Sequence, residues 1–223
     1  LLLGREHQLA ALHEALESTR AGTPVTVYVR GRSGMGKTAL VQAFLMELLT
    51  QEDALVLQGR AYERELVPYK AVDSLIDELT QHLMRLPIAE RQAILPRDVD
   101  ALGRVFPVLM RVPGLVEAPR KTTQRTNAMH LRRSAFLALR ELLSNLGQQR
   151  PLVLHTDDLQ WGDPDSASLL SEVMRPPRAP RLLWVACYRS EDEASSPMLR
   201  ALASAGPRAS EGSDVRHVDV GPL

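Results

Sequence analysis

Val25-Thr26-Val27-Tyr28-Val29-Arg30-Gly31-Arg32-Ser33-Gly34-Met35-Gly36-Lys37-Thr38 runs from a strand-like segment through a glycine-rich loop into the start of a helix. Its first five residues are β-branched or aromatic and predict a short buried strand that ends in a tight glycine turn. From Lys37 to Leu49 the apolar residues Leu40, Phe44, Leu45 and Leu48 recur on one helical face. Between strand and helix, Gly31 to Thr38 matches G-x-x-x-x-G-K-[ST] in full, in the context that a phosphate-binding loop requires. The glycines let successive backbone N–H groups point into one concavity, and the helix adds the positive end of its dipole. Gly31, Arg32, Ser33, Gly34, Met35, Gly36, Lys37 and Thr38 are therefore expected to cradle a polyphosphate. Lys37 is expected to bridge the β- and γ-phosphates and Thr38 to offer its hydroxyl to Mg²⁺. ATP with magnesium is the expected cofactor pair. A glycine-rich hairpin turn is the plain structural alternative.

On the N-terminal side, Glu6 to Arg20 carries Leu9, Leu12 and Leu16 at helical spacing and ends at Gly22-Thr23-Pro24, which predicts an N-terminal helix within residues 1–24. On the other side, Ala54 to Gln58 reads as a strand and Ala71 to Met84 as a helix. Residues 86–126 break the alternation with five prolines, and read as a partly mobile helical insertion with one short helix over Val99 to Arg111. Asn127 to Leu146 is a long helix, Leu152 to Leu154 starts a strand, and Ser166 to Met174 is a helix. Leu182 to Tyr188 is an almost wholly apolar strand, Leu199 to Ala203 belongs to a short helix, and Val215 to Val220 is a fifth strand. Such alternation predicts an α/β fold of three layers, α/β/α, with a mostly parallel five-stranded sheet, in one domain over residues 1–223. Ligands of such sheets bind at the carboxyl ends of the strands.

That rule selects the other candidates. Asp157 and Asp158 follow Leu152-Val153-Leu154-His155-Thr156, so an extended chain delivers them to the edge where the phosphates sit. Asp157 is expected to hold magnesium, directly or through water, and Asp158 to orient or deprotonate the attacking water. The alternative is an Asp pair that caps the next turn, as Asp163-Pro164-Asp165 does. Arg189 follows the apolar fourth strand, where it either contacts the γ-phosphate or pairs with Asp158 or Glu191. His155 has no second His or Cys close in sequence and reads as a packed neutral imidazole. Trp161 and Trp184 read as anchors, and Arg60, Arg64 and Lys70 around Tyr62 and Tyr69 as a solvated surface.

Composition bounds the rest. The chain has 223 residues, 44% hydrophobic and 24% charged, as ordinary globular domains do. Lys plus Arg equals Asp plus Glu at 27 each, so no global field favours nucleic acid or an anionic membrane, and neither is expected as a partner of this segment. No apolar run approaches the roughly 18 to 20 residues that span a bilayer. The one cysteine, Cys187, lies in an apolar run, which reads as an inert buried thiol and suits a cytoplasmic protein. The chain starts without Met and stops abruptly, which reads as a piece of a longer polypeptide.

Leu3-Gly4-Arg5-Glu6, the P-loop, Leu154-His155-Thr156-Asp157-Asp158-Leu159-Gln160-Trp161-Gly162-Asp163 and Ala186-Cys187-Tyr188-Arg189-Ser190 together resemble the AAA-type ATPase domain of STAND-class signalling proteins. Tyr62 to Lys70 resembles the kinase-linked branch. The resemblance implies an ATP-driven switch of low turnover that alternates between ATP and ADP, coupled to output domains of the same polypeptide and able to form homo-oligomers on activation. It also implies that Gly4 and Arg5 lie near the adenine or ribose, that Arg189 is a sensor, and that the Arg189 strand separates the Asp157 strand from the P-loop strand. A lid and winged helix are expected beyond residue 223. His155-Thr156 departs from the two apolar residues usual there, and local repacking is the expected result. A nucleotide-bound scaffold without hydrolysis and a P-loop small-molecule kinase are the competing functional readings.

Overall fold

In a computed structural model of the protein, residues 4–51, 54–63, 67–115, 127–205 and 214–222 are described. Leu3, Arg64, Glu65, Leu66 and the part of the insertion from 116 to 126 lie outside them. Five strands form one sheet: β1 (Val25–Gly31), β2 (Leu55–Arg60), β3 (Leu152–Asp157), β4 (Leu182–Arg189) and β5 (Asp214–Asp219). Their order is β2-β3-β4-β1-β5 and every pair is parallel. Parallel neighbours need helix-sized connections, and the chain supplies them.

The pleat sorts the side chains into two cores. Val25, Val27, Val29, Val153, Val185 and Cys187 face α1 (Glu6–Arg20) and α2 (Lys37–Thr50), which add Leu12, Leu16, Leu40, Phe44 and Leu45. Leu55, Leu57, Leu152, Leu154, Trp184 and Ala186 face the opposite layer. That layer holds α3 (Lys70–Arg85), α6 (Ala128–Gln149), α7 (Pro164–Val173) and α8 (Pro197–Ala205). In α3, Val72, Leu75, Ile76, Leu79 and Leu83 form one buried stripe, which is why this segment is a helix lying on the sheet. The central strands β3 and β4 are thus buried on both faces and run almost without polar alternation, whereas the edge strand β5 buries only Val218 and carries Arg216 and His217 beside it.

The insertion differs from its expected form. In place of one helix over Val99 to Arg111, it has α4 (Ile88–Ile94), α5 (Val99–Val105) and a 3₁₀ turn over Pro107–Arg111. Two of its prolines start elements: Pro87 precedes α4 and Pro107 opens the 3₁₀ turn, positions where a missing N–H costs nothing. Leu102, Phe106, Leu109, Val112 and Leu115 join the core, so the described part packs. Arg91, buried, donates to the carbonyls of Leu83, Leu86 and Pro113 at 2.9, 2.8 and 2.6 Å and so clamps the end of α3. Among the described residues, no helix is long and apolar enough to cross a membrane.

Candidate nucleotide site

The strand order brings the three motif ends to one edge. β4 lies between β3 and β1, as the resemblance implied, and Gly31 is the register partner of Arg189. Gly34 and Gly36 have φ of 79° and 85°, with open space where a Cβ would stand. Their conformation, not crowding, requires glycine. Gly31 is the reverse case: its φ is ordinary, but a Cβ would strike the Val220 carbonyl. The loop is also held from outside. Arg5, buried, donates to the Met35 carbonyl at 3.2 Å and the Gly221 carbonyl at 2.5 Å, tying the loop to the segment after β5. Gly4 is exposed, with φ of 77°.

Two contacts engage the polar groups of the loop. The Lys37 ammonium donates to its own loop carbonyls, Gly31 at 2.7 Å and Arg32 at 3.0 Å. The Glu191 carboxylate accepts the Ser33 N–H at 2.9 Å, a bond that holds its carboxyl below the usual range. Glu191 therefore turns to the loop and not to Arg189.

The acids are joined to the loop. The Thr38 hydroxyl donates to Asp157 at 3.1 Å, and the Asp158 N–H donates to the same carboxylate at 3.0 Å. Thr38 and Asp157 thus place two hard oxygen donors together, a set that suits Mg²⁺. Asp158 sits at φ 51°, a left-handed conformation that turns its side chain back along the edge. There Arg60 donates to one of its oxygens through Nη2 at 2.6 Å and Nε at 3.0 Å. Gln160 donates to the other at 2.9 Å, and Arg189 Nε lies 3.7 Å from it. Gln160 also accepts the Arg189 N–H at 3.2 Å, while the Arg189 guanidinium lies over the Trp161 ring.

Arg60 is a correction to the sequence reading. It ends β2, and it belongs to the acid cluster and not to a merely solvated loop. The register across β2 and β3, which sets Arg60 opposite Asp157, brings it there. His155 and Thr156 also find partners across strands. Thr156 accepts the Trp184 indole N–H at 3.2 Å, which satisfies both buried groups. His155 Nε2 lies 3.7 Å from Cys187 Sγ, whereas its buried Nδ1 has no partner. The expectation that no Cys lies near His155 holds in sequence and fails in space. Burial pushes the His155 pKa down to about 4 against the opposing pull of Asp157, and it pushes the Cys187 thiol well up. Beside these residues opens a cleft of about 350 Å³ lined by Thr38, Gln58, Arg60, His155 and Asp157 among others.

A family model described as the AAA ATPase domain matches residues 1–185. The chain belongs to the AAA ATPase domain family. Among solved structures, Cdc6p from Pyrobaculum aerophilum superposes on this AAA domain with a TM-score of 0.53, over 96% of this chain and 45% of its own, at 15% identity. A Drosophila structure, ORC bound to AT-rich DNA and Cdc6, gives a TM-score of 0.46 over 98% of this chain and 58% of that one, at 15% identity. Identities this low speak to the fold alone, and the AAA domain spans about half the length of these chains. No curated protein matches it.

Proposed function

We propose that this AAA domain binds ATP with Mg²⁺ and hydrolyses it slowly, as a switch whose nucleotide state is read by neighbouring parts of the same polypeptide. The observation that carries the reading is the Thr38 to Asp157 hydrogen bond, which joins the loop to the acidic strand. In this reading Gly31 to Thr38 hold the phosphates, with Gly4 and Arg5 toward the adenine or ribose. Thr38 and Asp157 hold the metal, whose contribution when bound is to neutralise charge on the phosphates. The Lys37 ammonium exchanges the carbonyls of Gly31 and Arg32 for phosphate oxygens, so loop opening is coupled to ligand entry. Asp158 orients the attacking water and accepts its proton once Arg60 lets go. Arg189, beside Gly31, pairs with the γ-phosphate and returns toward Asp158 when that phosphate is lost. The balanced charge supports a nucleotide and not nucleic acid or membrane as this segment's own ligand, in a cytoplasmic setting. A lid and an output domain, with homo-oligomer formation on activation, complete the reading.

Purified protein is expected to bind Mg–ATP, and Lys37→Ala to abolish binding; unchanged affinity in that variant removes the loop assignment. One observation favours a second reading, a nucleotide-holding scaffold without turnover: Asp158 is engaged by Arg60 and Gln160 together. Absence of phosphate release from a protein that binds ATP would select it.

A further inference from the structure

We propose that His155, Asp157 and Cys187 form a second metal site, for a thiophilic divalent cation of the Zn²⁺ class, and that its occupancy withdraws Asp157 from the magnesium–nucleotide site. The second half rests on the reading of Asp157 given above; the first does not.

The three residues come from adjoining parallel strands and share the face that looks toward α2. One ligand atom from each lies within 4.8 Å of the others. Zn–N and Zn–S bonds of about 2.1 and 2.3 Å in a tetrahedron set an N to S edge of about 3.6 Å. The observed His155 Nε2 to Cys187 Sγ separation is 3.7 Å. That pair already stands at coordination distance, and only the carboxylate has to close in. Asp157 accepts from Thr38 and the Asp158 N–H, which leaves lone pairs on its carboxylate.

The imidazole is the second observation. His155 is only 2% exposed, Nδ1 has no partner, and Nε2 meets only the thiol. Nε2, the ring atom that faces Cys187, has only this weak thiol partner, which a metal would replace, while Nδ1 is without a partner in either case. His155 and Asp157 line the same cleft, which provides an approach. A Cys, His and Asp set excludes Mg²⁺ as its preferred ion, since magnesium takes oxygen ligands in near-octahedral array, and it suits Zn²⁺. On binding, the Cys187 thiol proton leaves to solvent as the S–metal bond forms, and His155 ligates as the neutral ring. Three protein ligands leave the fourth position to water.

Reduced, nucleotide-free protein titrated with Zn²⁺ against a chromophoric chelator should bind one ion tightly per chain. Co²⁺ in its place should give a sulfur-to-cobalt charge-transfer absorption. Cys187→Ala should lose both signals while keeping its circular dichroism and its Mg–ATP binding, and His155→Gln should weaken Zn²⁺ at least tenfold. No tight ion in the wild type, or an unchanged affinity in Cys187→Ala, overturns the site. Should that variant fail to fold, a wild-type Co²⁺ spectrum without the sulfur band overturns it equally. Stoichiometric Zn²⁺ should raise the wild-type Kd for Mg–ATP at least tenfold and leave that of Cys187→Ala unchanged. Tight Zn²⁺ binding with unaltered Mg–ATP affinity overturns the antagonism and leaves the metal site standing.

Discussion

Replacing Arg60 with alanine should accelerate ATP turnover. Arg60 places Nη2 and Nε 2.6 and 3.0 Å from one oxygen of Asp158, the residue assigned to the attacking water, and so occupies that oxygen. Full Coulomb attraction at this distance would be several kcal/mol in a protein interior, but the Arg60 side chain is 55% exposed and water screens the pair. Exposed ion pairs contribute about 0.2–1 kcal/mol, and the upper end applies because both donors converge on a carboxylate that is only 15% exposed. Removing about 1 kcal/mol from the resting side of the barrier corresponds to roughly a fivefold rise in kcat. The contacts from Gln160 and Arg189 persist and keep the gain modest. Steady-state phosphate release at saturating Mg–ATP measures it, with Arg60→Lys intermediate because an ammonium lacks the fork. Added salt should raise wild-type kcat toward that of the variant, since it screens the same pair. A variant that binds ATP normally but turns over at or below the wild-type rate would show that Arg60 does not restrain Asp158, and would assign it to the transition state.

Asp158→Asn should keep Mg–ATP affinity within about twofold and lower kcat by at least tenfold, the usual scale for losing a general base; equal turnover removes Asp158 from the reaction. Gly31→Ala forces a Cβ onto the Val220 carbonyl, and overpacking of about 1–3 kcal/mol should lower Tm by roughly 2–12 °C in a thermal melt. Gly34→Ala, with open space around it, should instead fail through its left-handed φ: a loss of ATP affinity larger than its loss of Tm separates the two cases. His155 titrates at about 4 when folded and near 6.5 when unfolded, so the unfolded chain takes up the proton first. Stability is then complete above about pH 6.5 and falls as pH drops toward 4, by up to about 3 kcal/mol. Denaturant midpoints across that range should show the fall in the wild type and a flatter limb in His155→Leu.

Much of this site was legible because its signals are local. The P-loop glycines, the apolar run before Asp157 and the apolar run before Arg189 each lie within a dozen residues, and one rule about parallel sheets assigns all three to the same edge. The helix of the long insertion was legible only in part. Its prolines read as breakers, since proline in a helix interior clashes with the preceding turn, yet here Pro87 and Pro107 stand at element starts. Which of the two uses applies depends on where the neighbouring helix begins, and Ile88 to Ile94 is too short to announce itself by periodicity.

The unread parts share a different cause. Arg60 and Asp158 are 98 residues apart, and His155 and Cys187 are 32 apart. Each pair meets through the register of parallel strands, which no turn fixes, because the connections are helical layers of variable length. A slip of one residue between β3 and β4 would turn Cys187 away from His155 and toward the opposite core. The register is held by packing of the apolar side chains, above all Leu154 and Trp184 on one face and Val153 and Val185 on the other. The polar pairs are therefore consequences of how the apolar residues fit. That is why Thr156 is tolerated inside the sheet: the register that packs Trp184 also brings its indole N–H to the threonine hydroxyl. By the same argument a core substitution such as Leu154→Ala, remote from any phosphate, acts on the acidic edge through the register, and the site's geometry is only as well defined as the core beneath it.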